Sequence, residues 1–150
     1  MIWIGIVIGI VVIEWFLKAH FDKKLKFGET IEIGKGKIIL KKYYNKGAAL
    51  DSFETYPKQL LLVTGGMIGV ILYLWKKAIG MQGEYVRKIA FSLLLGGAIS
   101  NLLDRLTKHY VVDYFSFSWK KIRHIVFNIA DFCIFIGSFL FLIASLKEKK

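Results

Sequence analysis

The chain has a single cysteine, Cys133, so no disulfide can form within it. Cys133 falls inside an apolar run and reads as a small buried side chain. Only three histidines occur, His20, His109 and His124, none at metal-ligand spacing. There is no His-Glu-x-x-His of a zinc hydrolase and no Gly-x-Ser-x-Gly of a serine nucleophile. No internal repeat and no low-complexity linker is visible. Acidic residues are scarce, 11 against 22 Lys and Arg, for a net charge of +11. Such a charge raises the question of nucleic acid, but no motif for it is present. The basic residues border apolar runs instead, where anionic lipid headgroups are the usual partners.

Apolar residues, in contrast, make up 55 % of the 150 residues, more than in soluble domains. They gather in four runs. Crossing ~30 Å of hydrocarbon takes about 20 mostly apolar helical residues. The expected helices span about 1–20, 57–75, 87–106 and 125–146, in a single membrane domain. Pro57 suits a first helical turn, where its missing N–H costs nothing. Trp15, Trp75 and Trp119 lie near run ends, as interfacial anchors do. The first run lacks the basic n-region and small-residue cleavage site of a secretory signal and carries Glu14 and Lys18 near its end, so it reads as a retained span.

Loops of about 21–56 and 107–124 separate the spans on one side. Thr30–Ile33 alternates, Gly34–Lys37 is turn-like and Ile38–Tyr44 is β-prone, which reads as a hairpin. Tyr114–Ser118 alternates as a further strand would. Both termini fall on one side, but charge leaves open which side that is. Basic density favours cytoplasmic termini and the raw count of Lys and Arg favours the reverse.

The polar residues are distributed unevenly between the two ends of the bundle. Glu14, Lys18, Asn45, Asn101, Asp104, Arg105, Asp113, Asn128 and Asp131 converge where the first and third helices end and the second and fourth begin. A carboxylate at a helix centre costs about 2.5–3.5 kcal/mol on insertion scales, so such groups face the bundle interior or a wet cavity. Asp131 is expected one turn into the fourth helix, with Asn128 three residues earlier on the same face. Asp113 lies on the connection leading back to that helix, so the two carboxylates can approach. Such a pair titrates as one unit and shares a proton. The ionised member can take a proton from water while the protonated member polarises a carbonyl. Which of the two plays which role is open. Structural readings stand beside these. Asp104 and Arg105 can close a helix as an ion pair, Glu14 and Lys18 can pair four residues apart, and Asn101 and Asn128 can bond between helices. Gly65-Gly66-x-x-Gly69 and Gly96-Gly97 read as close packing points.

In order and spacing, Gly96-Gly-Ala-Ile-Ser-Asn-Leu-Leu-Asp-Arg105, Tyr110-Val-Val-Asp-Tyr114 and Phe127-Asn-Ile-Ala-Asp131 resemble the lipoprotein signal peptidase (signal peptidase II) signature. Asn45-Lys-Gly-Ala-Ala49 resembles that family's upstream segment, and Glu14-x-x-x-Lys18 falls where the family has Asp and Lys. The resemblance implies an α-helical membrane protein with four transmembrane helices and a small extracytoplasmic β-cradle. It implies a bacterial inner-membrane protein with cytoplasmic termini and a site near the outer face. The activity implied is aspartyl endopeptidase cleavage of diacylglyceryl prolipoprotein signal peptides, without metal or organic cofactor and blocked by globomycin. Asp113 and Asp131 match the catalytic positions. Asn45, Asn101, Arg105 and Asn128 match substrate-binding positions, and Glu14, Lys18, Gly47 and Asp104 match supporting ones. The expected partners are the prolipoprotein and membrane lipid, and the expected state is a monomer.

Several residues depart from the family pattern. Glu14 replaces Asp, Leu50-Asp51 follows Gly-Ala-Ala, His109 stands where Gly is usual, and Phe132-Cys133 follows the second aspartate. They leave room for a divergent paralogue. No Gly-x-Gly-Asp of the presenilin type occurs. The alternatives are a non-cleaving binder of lipidated signal peptides and a small proton or ion carrier. Intact aspartates oppose the first, and polar groups gathered at one end oppose the second.

Overall fold

The computed structural model describes residues 1–47 and 54–147. Leu50, Asp51 and residues 148–150 of the basic tail therefore lie outside the described residues. Four helices, α1 (Ile2–Lys24), α2 (Pro57–Gly80), α3 (Tyr85–Lys108) and α4 (Ile129–Lys147), are each long and apolar enough to cross a membrane. Strands β1 (Thr30–Ile33), β2 (Ile38–Asn45) and β3 (Val111–Phe117) form one antiparallel sheet in the order β1-β2-β3. The expected class, four membrane helices with a small sheet, is the one observed.

The least apolar of the four spans is the central one. Helix α3 packs against α1, α2 and α4. Over an apolar stretch of 18 residues in each helix, 56 % are buried in α3, against 11 %, 6 % and 11 % in α1, α2 and α4. A lipid-facing helix must be apolar on its outer surface, whereas an enclosed one can carry polar groups that bond to its neighbours. Helix α3 accordingly buries Ser92, Ser100, Asn101 and Asp104. Its neighbours approach closely at glycines. A Cβ on Gly96 would lie 2.8 Å from Ile10 of α1, and one on Gly97 would lie 2.5 Å from the Ala130 carbonyl oxygen of α4. A Cβ on Gly137 of α4 would likewise lie 2.7 Å from the Ala90 carbonyl oxygen of α3. Gly65, Gly66 and Gly69 of α2 differ from expectation, because nothing lies within 4 Å of a Cβ at any of them. Helix α2 is largely exposed along its length, so its glycines do not mark a packing seam.

Helix limits differ from the expected ones in an informative way. Helix α1 continues to Lys24 and α2 to Gly80, past the apolar runs. Both carry lysine in the last turn, Lys23 and Lys24 in α1 and Lys77 in α2, where a cation favours a helix C-terminus. Helix α4 begins at Ile129 rather than near Ile125. The preceding segment is held as extended chain. Phe127 donates its N–H to the Phe115 carbonyl at 2.7 Å and accepts from the N–H groups of Tyr114 and Phe115. Strand β3 covers Val111–Phe117 and is buried on both faces over its first four residues, between the sheet and the helices.

Candidate active site

Asn128 is the N-cap of α4, not a member of its first turn. Its Oδ1 accepts the Asp131 N–H at 3.0 Å, and Asp131 Oδ2 accepts the Asn128 N–H at 3.1 Å. This reciprocal pair is a capping box, built from Asn and Asp three residues apart. The local rule that starts the helix thus also fixes the carboxylate of Asp131. Asn128 is completely buried, and its Nδ2 donates to Asp113 Oδ1 at 2.6 Å. One residue therefore holds both carboxylates, Asp131 through its backbone N–H and Asp113 through its side chain.

Strand β3 delivers Asp113, which is 1 % exposed. Tyr43 pairs with Asp113 and Leu40 with Phe115, so β2 carries one extra residue across this interval. Such a bulge re-aims the strand beside it. Beyond it, Asn45 pairs with Val111 and stands diagonal to Asp113, to whose Oδ2 its Nδ2 donates at 3.1 Å. Burial is the main cause raising the Asp113 carboxyl to about 7, and the negative charge of Asp131 adds to it. The donors Asn45 and Asn128, and the Lys18 charge, oppose the rise.

Helix α3 supplies the next layer. Asn101 Nδ2 donates to Asp131 Oδ1 at 2.9 Å, and its Oδ1 accepts from Lys18 Nζ at 2.8 Å and from Asn128 Nδ2 at 3.3 Å. Lys18, 1 % exposed, also donates to Ser100 Oγ and lies 3.5 Å from Glu14 and 3.3 Å from Asp104. The expected Glu14–Lys18 pair is present. Asp104 does not pair with Arg105: its carboxylate takes Lys18 and Lys108, the latter at 2.8 Å, and accepts the Val112 N–H at the start of β3. Successive helical residues point about 100° apart, which turns Arg105 away from Asp104. Arg105 instead donates to the Gly47 carbonyl at 2.7 Å, holding the Asn45–Gly47 segment over the site. Gly47 donates its own N–H to Asn45 Oδ1. All ten residues singled out from the sequence thus belong to one connected cluster. Tyr114 was missed as a member. Its hydroxyl donates to Glu14 Oε1 at 2.7 Å, and only the three-dimensional pairing of β3 with α1 reveals this.

A cavity of about 710 Å³ opens onto the carboxylates. Asn45, Asn101, Arg105, Asp113 and Asp131 form its polar end. Leu60, Met67 and Ile71 of α2, Leu94 of α3 and Ile134 and Phe135 of α4 form its apolar length. The arrangement suits a substrate with a polar reacting centre and a long apolar body. Cys133 is half-buried rather than fully enclosed. Among the described residues no group of three His, Cys, Asp or Glu side chains is placed to hold a metal ion.

Fold and site together define a multi-pass membrane protein with a paired-carboxylate centre at one end of its helix bundle. The family model described as signal peptidase (SPase) II matches residues 6–147, and the chain belongs to that family of membrane proteases. It is 35 % identical over 144 residues to the lipoprotein signal peptidase of Clostridium tetani, covering 95 % of this chain and 90 % of that one. It is 29 % identical to the lipoprotein signal peptidase of Pseudomonas fluorescens, covering 99 % and 89 %. A solved bacterial membrane enzyme superposes with a TM-score of 0.89 at 26 % identity, covering 99 % of this chain and 89 % of that chain.

Proposed function

We propose that the chain removes signal peptides from diacylglyceryl prolipoproteins as an intramembrane aspartyl endopeptidase, with Asp113 and Asp131 as its catalytic pair. The observation that carries this reading is that one buried residue, Asn128, serves two carboxylates bordering the same cavity, Asp131 through its backbone N–H and Asp113 through its side-chain amide. Burial and mutual repulsion keep one proton on the pair near neutral pH. The ionised carboxylate takes a proton from water as its oxygen attacks the scissile carbonyl. The protonated partner donates a hydrogen bond to the carbonyl oxygen, stabilising the tetrahedral diol. The C–N bond then breaks, a proton passes from the pair to the leaving amine, and a carboxylic acid and an amine result. No metal or organic cofactor enters this chemistry.

The apolar length of the cavity suits the acyl chains and signal helix of a lipidated substrate held in the bilayer. Asn45, Asn101 and Arg105, which line the cavity, bind the backbone around the cleavage point; Asn128, expected beside them, is buried behind the pair and positions its carboxylates, while Glu14, Lys18, Gly47 and Asp104 give further support. In this reading the protein is a monomer in the bacterial inner membrane, with cytoplasmic termini and the site near the outer face. Globomycin competes for the cavity. The test is a gel-shift assay of purified protein with a diacylglyceryl prolipoprotein. Cleavage sensitive to globomycin is expected. Binding without cleavage would make the chain a binder instead, and ion flux in proteoliposomes without cleavage would make it a carrier.

A further inference from the structure

Tyr114 is adjacent in sequence to Asp113 and lies on the other face of the same strand. It is 3 % exposed, and its ring stacks on Phe21 of α1 with centroids 4.6 Å apart and planes at 14°. Its hydroxyl has two partners. It donates to Glu14 Oε1 at 2.7 Å and accepts the Ile129 N–H at 3.1 Å. The same N–H reaches Glu14 Oε1 at 2.9 Å. Ile129 is the first residue of α4, so its amide is one of the donors that a helix start leaves without an internal partner. Glu14 is itself completely buried, and its other oxygen, Oε2, faces Lys18 at 3.5 Å. Three elements therefore meet at one hydroxyl: α1 through Glu14, β3 through Tyr114 and the first turn of α4 through Ile129. One residue along β3 is Asp113, and two residues along α4 is Asp131.

We propose that Tyr114 is a positioning residue, whose hydroxyl, joined to Glu14, locks the first turn of α4 against β3 and so sets the separation of Asp113 and Asp131. The inference rests on the catalytic pair proposed above. The capping box fixes Asp131 relative to Asn128 within α4, but it does not fix α4 relative to α1. The Tyr114–Glu14–Ile129 junction does that, and the extra methylene of Glu14 fits it. Its single Oε1 serves both Tyr114 and Ile129 while Oε2 remains with Lys18. An aspartate at position 14 would withdraw the carboxylate from at least one of these partners.

The experiment uses the full chain, purified, with a synthetic diacylglyceryl prolipopeptide. It compares Tyr114→Phe, Glu14→Asp and the double variant, with Asp113→Asn as control. Other charged or titratable groups near the junction are Lys18 on α1, Asp104 on α3 through Lys18, and Asp131 and Cys133 on α4, and all are left intact. Each single variant is expected to lower kcat roughly 10- to 100-fold, the range for misplaced reacting groups, with KM within about twofold. The double variant should be no slower than the slower single one, because both remove the same lock. The alkaline limb of the kcat profile should move to lower pH. Loosening α4 separates the carboxylates, weakens their repulsion and lets the shared proton leave sooner. A lower melting temperature with unchanged kcat and pH profile would reduce Tyr114 to a structural role and overturn the proposal. Additive losses in the double variant would also overturn it. Wild-type cleavage by Asp113→Asn would instead remove the catalytic pair, and with it the ground for a positioning residue.

Discussion

Asn128 performs two tasks whose contributions can be separated by substitution. It caps α4 through Oδ1 and donates to Asp113 through Nδ2. Removing an N-cap costs about 1 kcal/mol of stability. Losing a hydrogen bond to a charged group costs about 1.5–3 kcal/mol, and at 1.36 kcal/mol per decade that is roughly 10- to 150-fold in rate. Asn128→Ala should therefore lose both, lowering stability and cutting kcat by that factor. Asn128→Ser keeps a good capping oxygen but is too short to serve Asp113 as well. It should recover stability while remaining slow. The pH profile adds a sign. Asn128 opposes the upward shift of the Asp113 carboxyl, so its loss raises that carboxyl further and moves the alkaline limb of kcat to higher pH. This is opposite to the movement expected for Tyr114→Phe. The assay is a pH series of prolipopeptide cleavage beside thermal unfolding of the same preparations. Wild-type kcat in Asn128→Ser would refute the bridging role.

His109 ends α3 in the left-handed region at φ 67° and donates its N–H to the Arg105 carbonyl, a place suited to glycine. His109→Gly should raise stability by about 1 kcal/mol, or about 2–4 °C in Tm, and an unchanged Tm would contradict the strain. Gly97→Ala should reduce folded protein in the membrane because its Cβ meets the α4 backbone at 2.5 Å, whereas Gly65→Ala meets nothing and should accumulate normally. Equal yields would contradict the packing argument. Lys18→Met would leave Glu14 and Asp104 without their shared buried cation, a loss of about 3–5 kcal/mol. A denaturant midpoint equal to wild type would show that the cation is not needed.

The four helices and the gathering of polar groups were legible because hydrocarbon tolerates few alternatives to an apolar helix, and because chain direction alone brings the helix ends together. The hairpin was legible from alternation and from the Gly34–Lys37 turn. Features set by distant pairing were not. The start of α4 depends on Phe127 pairing with Phe115, a contact between segments twelve residues apart. Asp104 could not be assigned to Lys18 and Lys108 without the packing of α1 on α3. The bulge between Leu40 and Tyr43 was not legible, since Ile38–Tyr44 reads as one uninterrupted strand. Tyr114 resembled an ordinary strand residue because its hydroxyl finds its partner 100 residues away. Asn128 was readable in kind but not in place: Asn-x-x-Asp fits both a helical face and a capping box, and the extended Phe127 decides between them.

The most direct measurement is prolipoprotein processing by Asp113→Asn and by Asp131→Asn, each normalised to the amount of protein in the membrane. Both amides retain the shape of the side chain and remove its acid–base chemistry, so both variants should accumulate at wild-type levels and leave the prolipoprotein uncut. Cleavage at the wild-type rate by either variant would contradict the paired-carboxylate mechanism.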